Sequence, residues 1–471
     1  MGRATGFLEY QREENPWRPA EERIRDHGEL HEAVGEEARR AQASRCMYCG
    51  VPFCQSAYGC PLNNLIPEWN DLLCRGQERA ALERLLRTAP FPEFTGRVCP
   101  ALCETACNLA DEGVTNRDNE LYLIETGFAR GWVEPRIPRR RTGKRVAVVG
   151  SGPSGLAAAD ALNRMGHTVT VIERADRPGG LLMYGIPNMK LPKSVVERRI
   201  SLMEAEGVGF LLNAEARRED LADFDAAVLC GGARKPRALA VPGAEASGAC
   251  FAVGYLTEAT KAFLAGSAPS VSARGKHVVV VGGGDTGNDC VATALRQGCA
   301  SVVQLEIMPA PPESRAPQNP WPEWPRILRT DYGQTEAMAV QGADPRVYET
   351  TVAEIHLDAR GEIEAITAVR LARNGNGRAE PVPGSERRLP CGLLLIAAGF
   401  VGCEEETLSA LSLRADARGR LIPEDGSHNL GGGLFSAGDM RTGQSLVVRA
   451  LADGRAAAQE VHRYLTGAGR A

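Results

Sequence analysis

The chain has 471 residues, which at roughly 150 residues per unit suggests about three folded units. With 55 basic and 59 acidic residues its formal charge is −4, which argues against a general nucleic-acid binder. Hydrophobic residues make up 43% and charged residues 24%, as in folded globular proteins, and no stretch approaches the roughly 20 continuous apolar residues of a membrane span.

The amino end shows no signal-peptide core, so a cytoplasmic location is expected. Cysteine is the first informative residue type along the chain. Eight of the 14 fall between Cys46 and Cys107. They form two runs, Cys46, Cys49, Cys54 and Cys60, then Cys99, Cys103 and Cys107, with Cys74 between them outside any motif. A disulfide framework needs an oxidising compartment, which a long chain without an export signal does not suggest. Thiolates at Cys-x2-Cys spacing suit zinc. They also suit iron–sulfur clusters, whose cysteine runs often carry an adjacent proline, as in Cys60-Pro61 and Cys99-Pro100. Seven cysteines fit two metal centres better than one, and spacing alone leaves both metals open. The basic, proline-containing stretch 135–145 reads as a solvated linker.

Beyond that stretch the pattern changes to alternating strands and helices. The β-branched run Arg145–Val149 leads into Gly150-Ser-Gly-Pro-Ser-Gly155 and then a helical stretch, the order of a dinucleotide site. Gly150 permits the tight turn, Gly152 lets backbone approach a pyrophosphate, and Gly155 lets the helix pack close to the strand. Pro153 and Ser154 lie in the helix start, whose N–H groups face the phosphates. The next strand, 167–172, ends at Glu173, about 20 residues on, where an acid binds the adenosine ribose hydroxyls. A second copy runs from Lys276 through Gly282, Gly283, Gly284, Asp285 and Thr286, with Glu306 ending its following strand. Two such sites suggest a flavin and a nicotinamide, which are natural hydride partners. Near the carboxyl end a short apolar run joins Gly438 and Asp439, followed by Gln444, Ser445, Leu446 and a helix ending near Leu465. The seven histidines show no metal or triad spacing, and Trp321 and Trp324 read first as packing residues, with lining of the second nucleotide fold or contact with a partner as the alternative.

The order of these motifs resembles the small, or beta, subunits of bacterial glutamate synthase. Those belong to an iron–sulfur/FAD pyridine-nucleotide oxidoreductase group that includes the amino-terminal half of dihydropyrimidine dehydrogenase. The resemblance rests on the split cysteine runs, GSGPSG, the run 177–187 with Lys190, GGGDTG, Asn319-Pro-Trp-Pro322 and AGDMRTGQSLVV, and it covers essentially the whole chain. It implies an α/β protein with a helical iron–sulfur amino-terminal domain followed by two Rossmann-like dinucleotide-binding domains, the second inserted into the first. The implied boundaries are 1–140 for two 4Fe–4S clusters, 144–272 and 403–471 for FAD, and 273–402 for NAD(P). One cluster would use Cys46, Cys49, Cys54 and Cys107, and the other Cys60, Cys99 and Cys103 with Glu120 as an oxygen ligand. For Glu120 the alternative is an exposed helix-start acid, and Cys74 is the reserve ligand. The run Asn116-Arg117-Asp118 departs from the family, which has an apolar residue, a glycine and a small residue there. Gly180, Leu181 and Lys190 would join the cofactor sites, Ala398 and Gly399 would assist the coenzyme, and Gly438 and Asp439 would stand beside the isoalloxazine or ribityl chain.

The function implied is electron input. NADPH or NADH would reduce FAD, and the clusters would pass electrons to the glutamate synthase large (alpha) subunit for synthesis of glutamate from glutamine and 2-oxoglutarate. Glu306 would bind ribose hydroxyls and repel a 2′-phosphate, tilting the choice to NADH. Arg315 could instead cover a 2′-phosphate, and relatives with arginines near the Glu306 position use NADPH. Two other functions compete: a related reductase of this type with a different acceptor, and a zinc-binding scaffold.

Overall fold

The computed structural model describes residues 5–375 and 377–467. Its amino-terminal part consists of short helices, the longest being Glu36–Ser44, Ile66–Cys74, Glu78–Leu85 and Asn116–Ala129. Pro67 and Pro92 each stand in the first turn of a helix, where the missing N–H costs nothing. Apolar residues recur at three- and four-residue spacing, and Trp69, Leu73, Leu82, Leu85, Phe91 and Phe94 are fully buried between the helices. That core is continuous with Val146, Val148 and Leu156 of the next unit.

A six-stranded sheet follows, in the order Asn429–Gly431, Leu434–Ser436, Ala226–Leu229, Arg145–Val149, Thr168–Ile172 and Gly209–Leu211. All neighbours are parallel except the first pair. Its central strands are near-continuous apolar runs, as expected where both faces are covered. The chain leaves this sheet after Leu229 and builds a second of five parallel strands. Their order is Ala249–Phe251, Leu393–Ile396, His277–Val281, Ser301–Leu305 and Arg346–Val347. It returns to the first sheet with Leu434–Ser436, so the second fold is inserted into the first. The edge strand Ala249–Phe251 belongs to the second sheet although it precedes residue 273. In both sheets the glycine loop follows the strand at which the order reverses, the place where open α/β sheets bind ligands.

An antiparallel sheet of Thr350–Leu357, Ile363–Arg373, Ala379–Pro381 and Arg387–Pro390 covers one face of the second sheet, packing Val352, Ile355 and Ile366 on Val279, Val281 and Leu394. The long helix Val447–Thr466 lies on Pro153–Arg164, and a Cβ on Gly454 would sit 2.1 Å from the Ser154 carbonyl oxygen. The stretch 135–145 is more than a solvated linker, because Arg141 donates to Asn163 Oδ1 at 2.6 Å and to the His167 carbonyl at 2.7 Å. Among the described residues no helix is long and apolar enough to cross a membrane.

Buried ion pairs join the units. Glu336 accepts from Arg23 Nε at 2.7 Å and Arg296 Nη1 at 2.5 Å, with the carboxylate fully out of water. Arg199 pairs with Glu93, again with both side chains buried. Removing one member of such a group leaves uncompensated buried charge, which costs about 3–5 kcal/mol. Glu336→Ala is therefore expected to lower stability by an amount of that order, measured as the shift in denaturant midpoint, while Glu83→Ala, on an exposed ion pair, leaves it within about 0.5 kcal/mol.

Candidate active site and cysteine sets

The first glycine loop opens on a cleft of about 430 Å³. Gly150 takes φ +98°, a left-handed value, and a Cβ there would lie 2.5 Å from the Cys230 carbonyl oxygen. A Cβ on Gly155 would lie 1.9 Å from Gly150 O, whereas one on Gly152 would meet nothing within 4 Å. Gly155 thus serves packing, and Gly152 keeps the backbone open to a ligand. Glu173 is buried at the strand end, and its Oε2 accepts from Ser151 N at 2.9 Å and Ser151 Oγ at 2.5 Å. Its Oε1 accepts from Ala175 N at 2.9 Å.

The second loop repeats this pattern. Glu306 Oε2 accepts from Gly283 N at 2.8 Å and Oε1 from Met308 N at 2.7 Å. Gly282 takes φ +125° against the Ala397 carbonyl, and a Cβ on Gly284 would meet nothing within 4 Å. Both loops therefore offer free backbone N–H groups and a fixed acid, a cradle matching a dinucleotide.

Of the residues expected at these sites, Gly150, Gly152, Pro153, Ser154, Glu173, Gly180, Leu181, Gly399, Asp439 and Ser445 line the first cleft. Thr286 lines it too, as does Ala397, both from the second fold. Burial pushes the Asp439 carboxyl up to about 6, against the hydrogen bond it accepts from Ser445 Oγ at 3.0 Å. Other expected residues lie elsewhere. Lys190 pairs with Asp289 of the second fold at 3.0 Å, with both side chains largely out of water, and is not part of the first cleft's wall. Arg315 is held by the carbonyls of Asn319 and Glu323. Gly438 packs on Ser154, Gln444 receives Phe400 N, and Leu446 caps the last helix. Asp285 faces a separate crevice that also borders Lys190 and Cys99, and Ala398 lines none of these cavities.

Sequence reasoning missed Ser151, whose hydroxyl also receives Gly179 N at 2.9 Å, and Arg174, paired with Glu404 at 2.7 Å on the cleft wall. The signal was available in the first case, since a hydroxyl between two loop glycines faces the acid that ends the next strand. It also missed the support behind Gly438. Asp453 Oδ2 accepts from Gly438 N at 2.7 Å, and Asp453 Oδ1 meets His428 Nε2 at 3.1 Å and Arg441 Nη1 at 2.9 Å, while Glu460 meets His428 Nδ1 at 2.8 Å.

The cysteines fall into two sets. Cys46, Cys49, Cys54 and Cys107 surround one small cavity walled by Phe53, Ile66, Pro67 and Val114. Cys103 lies within electrostatic reach of Cys60, Cys99 and Glu120, and Cys99 of Cys60 and Glu120, which puts these four in one neighbourhood. Glu120 is buried, with its carboxyl pushed up to about 8 by burial, so it is not an exposed helix-start acid. Cys74 packs against the apolar core outside both sets. Burial, reinforced by neighbouring thiols or Glu120, pushes Cys46 and Cys99 up to about 12 and Cys60 to about 11, and raises Cys49, Cys54 and Cys103 as well. Such thiols ionise only when cations offset both burial and mutual repulsion, which is what iron would supply. Among the described residues no three His, Cys, Asp or Glu side chains close on a single-ion position.

Residues 145–454 match the family model of pyridine nucleotide-disulphide oxidoreductases, and residues 23–132 match that of dihydropyrimidine dehydrogenase domain II, 4Fe–4S cluster. The fold is shared with FprA from Mycobacterium tuberculosis in complex with NADPH, with a TM-score of 0.52 and 19% identity over 69% of this chain and 85% of that one. A 4Fe–4S domain joined to paired FAD and pyridine-nucleotide folds defines an iron–sulfur flavoprotein oxidoreductase. The chain is 46% identical to the glutamate synthase [NADPH] small chain of Bacillus subtilis, with 99% of each covered, and 35% identical to that of Escherichia coli, with 98% of each covered. It is also 45% identical to glutamate synthase [NADH] of Schizosaccharomyces pombe, where 99% of this chain spans 23% of the longer protein. The chain belongs to the glutamate synthase small-chain family.

The two glycines separate folding from binding. Gly155→Ala overpacks the loop and should cost about 1–3 kcal/mol, whereas Gly152→Ala should keep the wild-type unfolding midpoint yet copurify with less flavin, read from the visible-to-ultraviolet absorbance ratio. The His428 cluster adds a pH dependence. Burial opposes its charge, but the hydrogen bonds to Asp453 and Glu460 outweigh burial and Arg441, so its pKa lies above the usual 6.5. A raised histidine stabilises fully below 6.5 and loses that contribution as pH rises through the folded pKa. The thermal midpoint should fall across that window, and His428→Asn should flatten the fall.

Proposed function

We propose that this chain is the electron-input subunit of a glutamate synthase, taking electrons from NADH and passing them through two 4Fe–4S clusters to a large subunit that forms glutamate from glutamine and 2-oxoglutarate. The observation that carries the reading is the shared wall of the first cleft. Thr286 and Ala397 of the second fold stand there with Asp439 and Leu181 of the first. Gly282–Gly284 would hold a nicotinamide coenzyme within reach of that cleft, where the first loop would hold a flavin dinucleotide.

Bound in that cleft, FAD supplies the conversion of a hydride's electron pair into single electrons, which iron–sulfur clusters conduct onward. The protein's part is binding and orientation. The N–H groups of the two helix starts would bind the pyrophosphates, and Glu173 and Glu306 would bind the adenosine riboses. Val149, Ile172, Leu181 and Val447 make the cleft wall apolar and exclude water from the transfer. Asp439, kept by Ser445 at a defined angle, offers a hydrogen-bonding carboxyl to the cofactor's polar chain.

Two clusters are supported by the two cysteine sets, and a large-subunit partner by the small-chain relatives together with the single longer chain of S. pombe. The preference for NADH over NADPH is supported by an acid, Glu306, at the strand end after the second loop, where its charge would repel a 2′-phosphate, and by Arg315 being occupied by loop carbonyls.

Anaerobic protein should contain about eight irons per chain for two four-iron clusters, and its flavin should bleach faster with NADH than with NADPH. Glu306→Ala should narrow that preference by about tenfold, the equivalent of 1.4 kcal/mol. A colourless, zinc-loaded protein that ignores both coenzymes would refute the reading, and faster bleaching by NADPH would refute the coenzyme assignment alone.

A further inference from the structure

The segment 307–331 leaves the acid-tipped strand of the second nucleotide fold and reaches the helix Tyr332–Gln341 without forming any helix or strand of its own. Its own hydrogen bonds nevertheless hold it as one body. Asn319 is buried at its centre, donating to Glu323 Oε2 and the Trp324 carbonyl, both at 3.0 Å, and accepting from Arg326 N at 2.8 Å. Arg315 spans the loop to the Glu323 carbonyl at 2.8 Å, Leu328 N reaches the Pro312 carbonyl at 2.8 Å, and Arg329 lies 3.9 Å from the Trp324 ring centre.

So braced, the loop carries Trp321 off its own fold and onto the first cysteine set. The indole Nε1 donates to the carbonyl of Cys107 at 3.1 Å, across 214 residues of sequence. The ring centre lies 4.8 Å from that of Phe53, which precedes Cys54 and walls the cavity among the four cysteines. Packing alone would not require the indole N–H to face the backbone of one of those cysteines. Hydrogen bonds beside ligands fix their orientation, and with solvent exposure they tune cluster potentials.

We propose that Trp321 is a positioning residue for the cluster held by Cys46, Cys49, Cys54 and Cys107, fixing the Cys107 peptide through its N–H and shielding the site from water with its ring. The inserted nucleotide fold thereby sets the environment of a cluster that belongs to the amino-terminal domain. The inference rests on the reading of Cys107 as a ligand.

The test uses the full chain, purified anaerobically as wild type, Trp321→Phe, Trp321→Ala and, as a control in the same loop, Trp324→Phe. Iron and sulfide content, an EPR-monitored redox titration and the rate of iron release to a ferrous chelator are measured on each. Trp321→Phe, which keeps a ring but loses the donor, should shift the midpoint of one cluster signal and leave the other in place. Trp321→Ala should also release part of its iron faster by about tenfold, the lower end of what loss of an outer-shell partner costs. Trp324→Phe should match wild type in both. Iron-replete variants at Trp321 with unmoved potentials and release rates overturn this inference alone. Wild-type protein that binds no iron overturns the ligand reading and this inference with it.

Discussion

Glu336 holds a carboxylate with no access to water, and two guanidinium groups from distant parts of the sequence make that tolerable. Arg23 comes from the amino-terminal arm and Arg296 from the helix that begins at the second glycine loop. A buried carboxylate is strongly disfavoured anywhere except where both partners meet, so the arm has one position on the nucleotide fold. Arg199 and Glu93 impose the same condition between the flavin fold and the helix Pro92–Val98, which runs directly into Cys99. Electron transfer between separate centres needs fixed spacing, and these joints supply it. Their value is the uniqueness of the arrangement more than its depth, since apolar pairs of equal volume could give comparable stability.

The two glycine loops share one hydrogen-bond plan, in which an acid takes the N–H of the loop's second residue and the N–H two places beyond itself. They differ in what occupies that second position. Ser151 adds a hydroxyl that binds Glu173 and receives Gly179 N, locking the acid to the turn at Gly179–Gly180. Gly283 has no side chain, and the Glu306 carboxylate fills the space a Cβ would take, 2.3 Å away. The first grip is closed around several segments and suits a resident cofactor. The second is made by fewer contacts and suits a coenzyme that must leave after each turnover.

What the sequence made legible was local. Strand, glycine turn, helix and acid follow one another within about 25 residues, so the positions of Glu173 and Glu306 could be read directly. The interleaving of the two cysteine runs came from resemblance alone, and of its two sets one, Cys46, Cys49, Cys54 and Cys107, borders a single small cavity. Partners far apart in sequence were not legible. The helix Asn116–Ala129 buries Asn116, Asp118 and Glu120 along with Leu123 and Ile124, so it has no clean polar face from which an inward acid could be inferred. Asn116 is satisfied by Asn70 and Asp118 by Asn15 N, neither of which adjoins it in the chain. The pairing of Lys190, expected at a cofactor site, could not be foreseen because Asp289 lies 99 residues away. Segment 307–331 has no period at all, and its order comes from side chains bonding to its own carbonyls.

Gly454 gives the flavin cleft a place in the timetable of synthesis. The helix that starts at the first loop packs against Val447–Thr466 so closely that the Ser154 carbonyl meets the Gly454 backbone, and Leu434–Ser436 is an inner strand of the same sheet. Domains generally fold in the order in which they leave the ribosome. A nascent chain that has emerged through residue 400 possesses both glycine loops, both acids and all seven clustered cysteines, yet lacks the strand and helix that close the first cleft. The inserted fold can therefore mature before the fold around it, and the first cleft waits for a strand and helix translated long after its glycine loop.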